Sequence, residues 1–289
     1  MPKKQAPPRR NATRKHSGDS ATRTVIDIGL ADSAQDEPAL EVLFDSDLGP
    51  EELAGSIARA LMREVSASRT ALAAEMVVTE LMGITRLACP AEESWDEQSE
   101  AIDALMRAVT LVAAAEGSAA ALALLRVIAV FAVPGVSEEA VAAARRLADA
   151  GVPDRPWVRL LGRPKFVRAW QYGDVFGFQK SVCVMFDYGS REHVASVLID
   201  HPLGGGVKDC WIAQGKRARG LRTLMAHHLG AAPDAFFDDL TMGQAHDLLA
   251  AALGNEPCPE QLDQIHDVAV YLPLVAARVL LLGAMAEDR

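Results

Sequence analysis

The stretch SVCVMFDY at residues 181–188, followed by HVASVLIDH at 193–201, decides the fold. Both are rich in valine, and Gly189-Ser190 separates them, so they predict an antiparallel hairpin with a short turn. VKDCWIA at 207–213 predicts a third strand, entered through Gly204-Gly205-Gly206. Beyond it, residues 216–229, 241–253 and 260–285 carry helical periodicity, the last bent at Pro273. Asp238-Asp239 after Phe236-Phe237 reads as a helix-capping turn. A small antiparallel sheet flanked by helices, rather than repeated strand–helix–strand units, predicts a predominantly helical α+β fold.

Working upstream, five helices are expected before the sheet. Pro50 suits a first helical turn, with Ser46 or Asp47 as cap, and Leu53, Ile57, Ala60, Leu61 and Val65 follow at helical spacing. A second helix, from Ser66 or Ser68, carries Leu72, Met76, Val77, Leu81 and Ile84 and must end by Cys89-Pro90. Residues 100–116 and 118–133 form two more, broken at Gly117 and stopped by Pro134-Gly135, and a fifth begins at Ser137. This predicts a helical bundle or hairpin stack over 37–151. Residues 152–173 interleave Arg155, Arg159, Arg163, Lys165 and Arg168 with Trp157, Phe166, Trp170 and Tyr172. With Pro153, Pro156 and Pro164 among them, they read as a linker whose aromatics anchor between two lobes, and 174–289 as the α+β domain.

The composition excludes a wholly disordered chain: 50% of the 289 residues are hydrophobic and 24% charged. Charge is uneven. Residues 1–23 carry seven basic side chains (Lys3, Lys4, Arg9, Arg10, Arg14, Lys15, Arg23) against Asp19, in a chain whose net charge is −10. Residues 1–36 therefore read as a flexible basic arm able to contact nucleic acid or another polyanion. The acidic remainder argues against an extended nucleic-acid groove. The arm has no apolar segment after its basic residues, unlike a signal peptide. Arg126 interrupts the apolar run 119–133, and Tyr271, Pro273 and Arg278 interrupt 268–285, so neither reads as a membrane span. Cys89, Cys183, Cys210 and Cys258 form no C-x-x-C pair, which disfavours a zinc site and fits reduced thiols in a cytoplasmic protein.

The densest gathering of chemistry lies at Asp200, His201, Gly204, Gly205, Gly206, Lys208 and Asp209. Strand alternation places His193 and His201 on one face and Asp200 on the other. Three consecutive glycines can turn backbone N–H groups outward as a phosphate cradle requires, but no P-loop or Rossmann ending follows, and a wide turn is the plainer reading. If a metal is held, His193, Asp200, His201 and Asp209 are its ligands, and a divalent ion bound by carboxylate and imidazole would activate water. No compact motif such as H-E-x-x-H supports that chemistry, and no cofactor is favoured.

At Gly173-Asp174-Val175, Asp200-His201, Leu203 to Gly206, Val207-Lys208-Asp209 and Cys258-Pro-Glu, the chain resembles an uncharacterised protein family of high-GC Gram-positive bacteria, one without an assigned activity. The resemblance implies a bacterial cytosol and carries no functional residue over. The reading is a cytosolic, non-enzymatic binding or regulatory protein, with protein among its expected partners. A metal-dependent hydrolase built on Asp200 to Asp209 is the alternative, and nucleic-acid binding through the basic arm the third.

Overall fold

Among the described residues five helices precede the sheet, each opened by a recognisable device. In the computed structural model they are α1 (Pro50–Ala67), α2 (Ala71–Ala88), α3 (Trp95–Glu116), α4 (Ala119–Phe131) and α5 (Pro134–Asp149). Thr70 caps α2, its hydroxyl accepting from the Ala73 N–H, and Ser94 with Glu97 forms a capping box on α3. Pro134 opens α5 rather than stopping α4, because at the first helical position its missing N–H costs nothing. Ile57, Leu61, Leu81, Met106, Leu122 and Val136 meet in the core of this layer. The structure describes residues 49–90, 94–189, 191–230, 232–255 and 265–287. The basic arm, the caps expected at Ser46 or Asp47, and Cys258 lie outside them.

The α+β prediction holds, with five strands rather than three. They are β1 (Lys165–Asp174), β2 (Gln179–Asp187), β3 (Glu192–Asp200), β4 (Gly206–Gln214) and β5 (Ala235–Leu240), all antiparallel in the order β4-β3-β2-β1-β5. Two expectations need correcting. The second half of the stretch read as a linker is β1, a strand paired on both sides. A register shift between Phe166 and Arg168 breaks its alternation, which hides the period-2 signal. The turn expected at Asp238-Asp239 is β5, paired only with β1 and tolerant of charge as an edge strand is. The earlier part of the stretch does anchor by an aromatic: Trp157 is buried, and its Nε1 donates to the Ser68 carbonyl at 2.9 Å.

Helices cover both faces of the sheet. Ala169, Val184, Ala195, Val197 and Ile199 pack against α7 (Met242–Leu253) and α8 (Ile265–Glu287). Across the opposite face lies α6 (Gly215–Leu229), whose Arg222 grips Asp239 of β5 through two hydrogen bonds. Residues 268–287 of α8 are long and apolar enough to cross a membrane, with mean hydropathy 2.1. Here α8 packs into both cores, Leu274 into the helical cluster and Val275, Val279 and Leu282 under the sheet. Gly83 of α2 permits that approach, since a Cβ there would stand 2.2 Å from the Ala269 carbonyl oxygen of α8.

Candidate functional site

The residues singled out from the sequence separate onto the two ends of β3. Asp200 is buried, its carboxylate accepting from Lys208 Nζ and, at 2.9 Å, from Gln179 Nε2. His201 is exposed one residue beyond the strand, and its N–H donates to the Phe178 carbonyl. Gly204 and Gly205 take φ of +95° and +77°, the left-handed conformation that lets the Gly205 N–H return to the Asp200 carbonyl at 2.8 Å. Gly206 then opens β4 opposite Asp200, and Asp209 stands opposite Leu198. The glycines thus make the turn between β3 and β4. His193 lies at the other end of β3, seven residues away, which is about 23 Å along a strand. Among the described residues no group of three or more His, Cys, Asp or Glu side chains could hold a metal ion. The proposed ligands do not form one site.

His193 belongs to a buried network that the sequence reading did not find. Glu75 of α2, Tyr188 at the end of β2, His193 of β3 and Arg278 of α8 are respectively 0%, 6%, 0% and 2% exposed. Arg278 Nη2 pairs with Glu75 Oε2 and donates to the Tyr188 hydroxyl at 2.9 Å. The Tyr188 hydroxyl donates to the Glu75 carboxylate at 2.6 Å, and the Gly162 N–H donates to the same carboxylate at 2.8 Å. Arg278 Nε donates to His193 Nε2 at 3.3 Å, and the imidazole stacks between the rings of Phe186 and Tyr188. Burial, reinforced by the Arg278 charge, holds the His193 pKa well below that of an ordinary imidazole. The neutral ring that accepts at Nε2 must carry its proton on Nδ1, which is buried without a hydrogen-bond partner among the described residues. Burial likewise pushes the Tyr188 phenol far up. One carboxylate and one guanidinium thereby tie α2, the sheet and α8 together.

A narrow edge of Tyr188 also reaches the surface. That edge lines a cleft of about 580 Å³ bounded by the start of α2, the turn between β2 and β3, and the start of α6. Four cations line it: Arg69, Arg191, Lys216 and Arg219. The one carboxylate among its described lining residues, Glu192, is engaged by Arg219 at 3.3 Å. Apolar wall comes from Leu72, Trp157 and Leu160. The first turn of α6 is electrostatically inverted. A helix start favours acids, because its N–H groups leave a partial positive charge. Yet α6 opens Gly215-Lys216-Arg217-Ala218-Arg219, with no acid in the first turn and no side-chain cap on Gln214. Gly215 takes φ +59° ahead of helical Lys216, the kind of left-to-right alternation that turns successive N–H groups into one concavity. That inverted first turn was the signal in the sequence; lone charges inside the apolar patterns of α2 and α8 were the signal for Glu75 and Arg278.

The cleft offers positive charge, N–H donors and an apolar wall. Among its described lining residues there is no imidazole or thiol, the Tyr188 hydroxyl is occupied by Glu75, and Thr70 caps α2. No family model, curated protein or solved structure matches the chain.

Proposed function

We propose that this is a cytoplasmic binding or regulatory protein whose ligand is an anion held in the cleft between the starts of α2 and α6. The observation that carries the reading is the concentration, among the described lining residues, of four cations against one carboxylate that only Arg219 engages, in a chain of net charge −10. Like charges so placed repel one another and the dipole of α6 in the empty protein, and a bound anion relieves both. A binding role is supported by described lining residues that supply donors suited to an anion. Buried Cys183, a free thiol among the described residues, supports the cytoplasmic reading.

A thermal denaturation series tests this. Citrate should raise the melting temperature above that in sodium chloride of equal ionic strength, because a ligand of the native state stabilises it by mass action. Arg69→Glu together with Lys216→Glu should remove the difference. Equal response to citrate in the wild type and the double variant would refute the cleft as the anion site.

A further inference from the structure

We infer that the cleft holds a small phosphate monoester, its phosphate at the start of α6 and its organic part against Leu72, Trp157 and Leu160. The inference rests on the anion-binding reading and names the ligand within it. Three observations carry it. First, the cations arrive from three elements: Arg69 from the turn before α2, Arg191 from the turn between β2 and β3, and Lys216 and Arg219 from α6. A tetrahedral dianion presents oxygens in several directions and two charges, which suits donors converging from separate sides. Arg219 is already answered by Glu192, and a carboxylate, with two oxygens in one plane and a single charge, would leave most of the other three cations unanswered. Second, the uncapped first turn of α6 leaves N–H groups without intrahelical partners beside the same cations, the backbone arrangement that receives phosphate oxygens. The cations are the primary observation, and the helix start completes them.

Third, size selects a small ester over either bare phosphate or a polymer. About 580 Å³ lies within the range of small-molecule pockets and far exceeds what one phosphate fills. The surplus is walled by half-buried Leu160 and by the narrow exposed edges of Leu72 and Trp157, which leaves room for a small apolar or ring-shaped group rather than for more phosphate. A polynucleotide would require the basic surface to continue beyond the cleft, against the field of an acidic chain.

Calorimetric titration of the full chain at low salt with phenyl phosphate, inorganic phosphate, benzoate, citrate and a short oligothymidylate tests the inference. Phenyl phosphate should bind at least about tenfold tighter than inorganic phosphate and than benzoate, a factor of ten being one good charge-assisted contact or its equivalent in buried surface. Lys216→Glu and Arg191→Glu, both exposed and without a described ion pair, should each weaken it by about tenfold or more. Arg217→Glu, on the same helix but outside the lining, should change it by less than about threefold. Inorganic phosphate binding as tightly as phenyl phosphate would make this a site for the free ion and overturn the ester. Citrate, benzoate or oligothymidylate binding more tightly than phenyl phosphate, in a manner sensitive to Lys216→Glu, would overturn the phosphate ester and leave the anion cleft standing. Binding that survives both Lys216→Glu and Arg191→Glu, or none by any probe at millimolar concentration, would overturn both readings.

Discussion

At the Glu192 end of β3, a carboxylate, a guanidinium, a phenol and an imidazole are sealed among α2, the sheet and α8; at the Asp200 end, a carboxylate and an ammonium sit beside a glycine turn. Each carboxylate is nearly fully buried, but their partners differ. Arg278 is 2% exposed, whereas the Lys208 side chain keeps 26% of its surface in solvent. An ammonium that can reach water loses little when its partner is removed, while a guanidinium buried on every side has nowhere to turn. The difference teaches that the strand's charges serve different ends: those near His193 fix the layers against each other, and those near Asp200 close a turn. It also sets the order in which substitutions should be felt.

The largest effect is expected from separating Glu75 and Arg278. Arg278→Leu strips the Glu75 carboxylate of its counter-charge, leaves it with the Tyr188 hydroxyl and the Gly162 N–H, and should lower unfolding free energy by about 3–5 kcal/mol. Urea denaturation measures this. Glu75→Leu in the same chain should restore part of the loss, because an apolar pair in place of a buried ion pair removes the stranded charge. A double variant as unstable as the sum of the two single variants would mean that the two residues do not act as a pair.

How much of this was legible in the sequence differs along the chain. The five early helices could be read because their apolar residues recur at helical spacing, but two of their starts could not: Thr70, rather than Ser66 or Ser68, caps α2, and Ser94 opens α3 at Trp95, five residues before the expected start at 100. The hairpin of β2 and β3 could be read because both strands are nearly continuous apolar runs. β1 was hidden by its register shift and by exposed Lys165, Val167 and Arg168, which look like a linker until both neighbours are seen to pair with it. The candidate site of the sequence reading grouped His193 with His201 because alternation constrains the face a residue occupies and says nothing of where a ligand set closes. The buried network joins residues more than 200 positions apart in Glu75 and Arg278, a pairing that only the packing of α2 on α8 creates. The cleft, too, is assembled from distant turns, although the cationic first turn of α6 was there to be seen as the reverse of what a helix start prefers.

A smaller effect should appear on acidification, and it sharpens the contrast because His193 is the imidazole sealed in this network. Facing it are Arg278, Tyr188 and Phe186, with Glu75 beyond the guanidinium. Its folded-state pKa is depressed, by burial first and the Arg278 charge second, so the native state refuses a proton that the unfolded chain accepts. Stability from this group is therefore full above the ordinary imidazole value of 6.5 and declines as the pH falls below it. The slope approaches about 1.4 kcal/mol per pH unit. Urea midpoints between pH 7.5 and 5.5, set beside those of His193→Gln, isolate the contribution, since an amide oxygen can still accept from Arg278 and cannot titrate. Parallel profiles for the two proteins would show that His193 takes up its proton in the folded state as readily as in the unfolded one.

The smallest effect belongs to the Asp200 end, where Asp200→Asn should cost about 1 kcal/mol. Its amide oxygen still accepts from Gln179 or Lys208, the Gly205 N–H still returns to the backbone carbonyl of residue 200, and the Lys208 ammonium can extend toward water. Asn255, whose amide donates to the Gly205 carbonyl at 3.2 Å, continues to hold the turn from the side of α7. The same substitution separates this account from a metal site, because a liganding carboxylate turned into an amide would lower the content of a bound ion. Elemental analysis of the wild type and Asp200→Asn should give the same content for every divalent metal, while the urea midpoint falls slightly. Stoichiometric metal in the wild type that disappears in Asp200→Asn would transfer the functional site from the cationic cleft to the glycine turn.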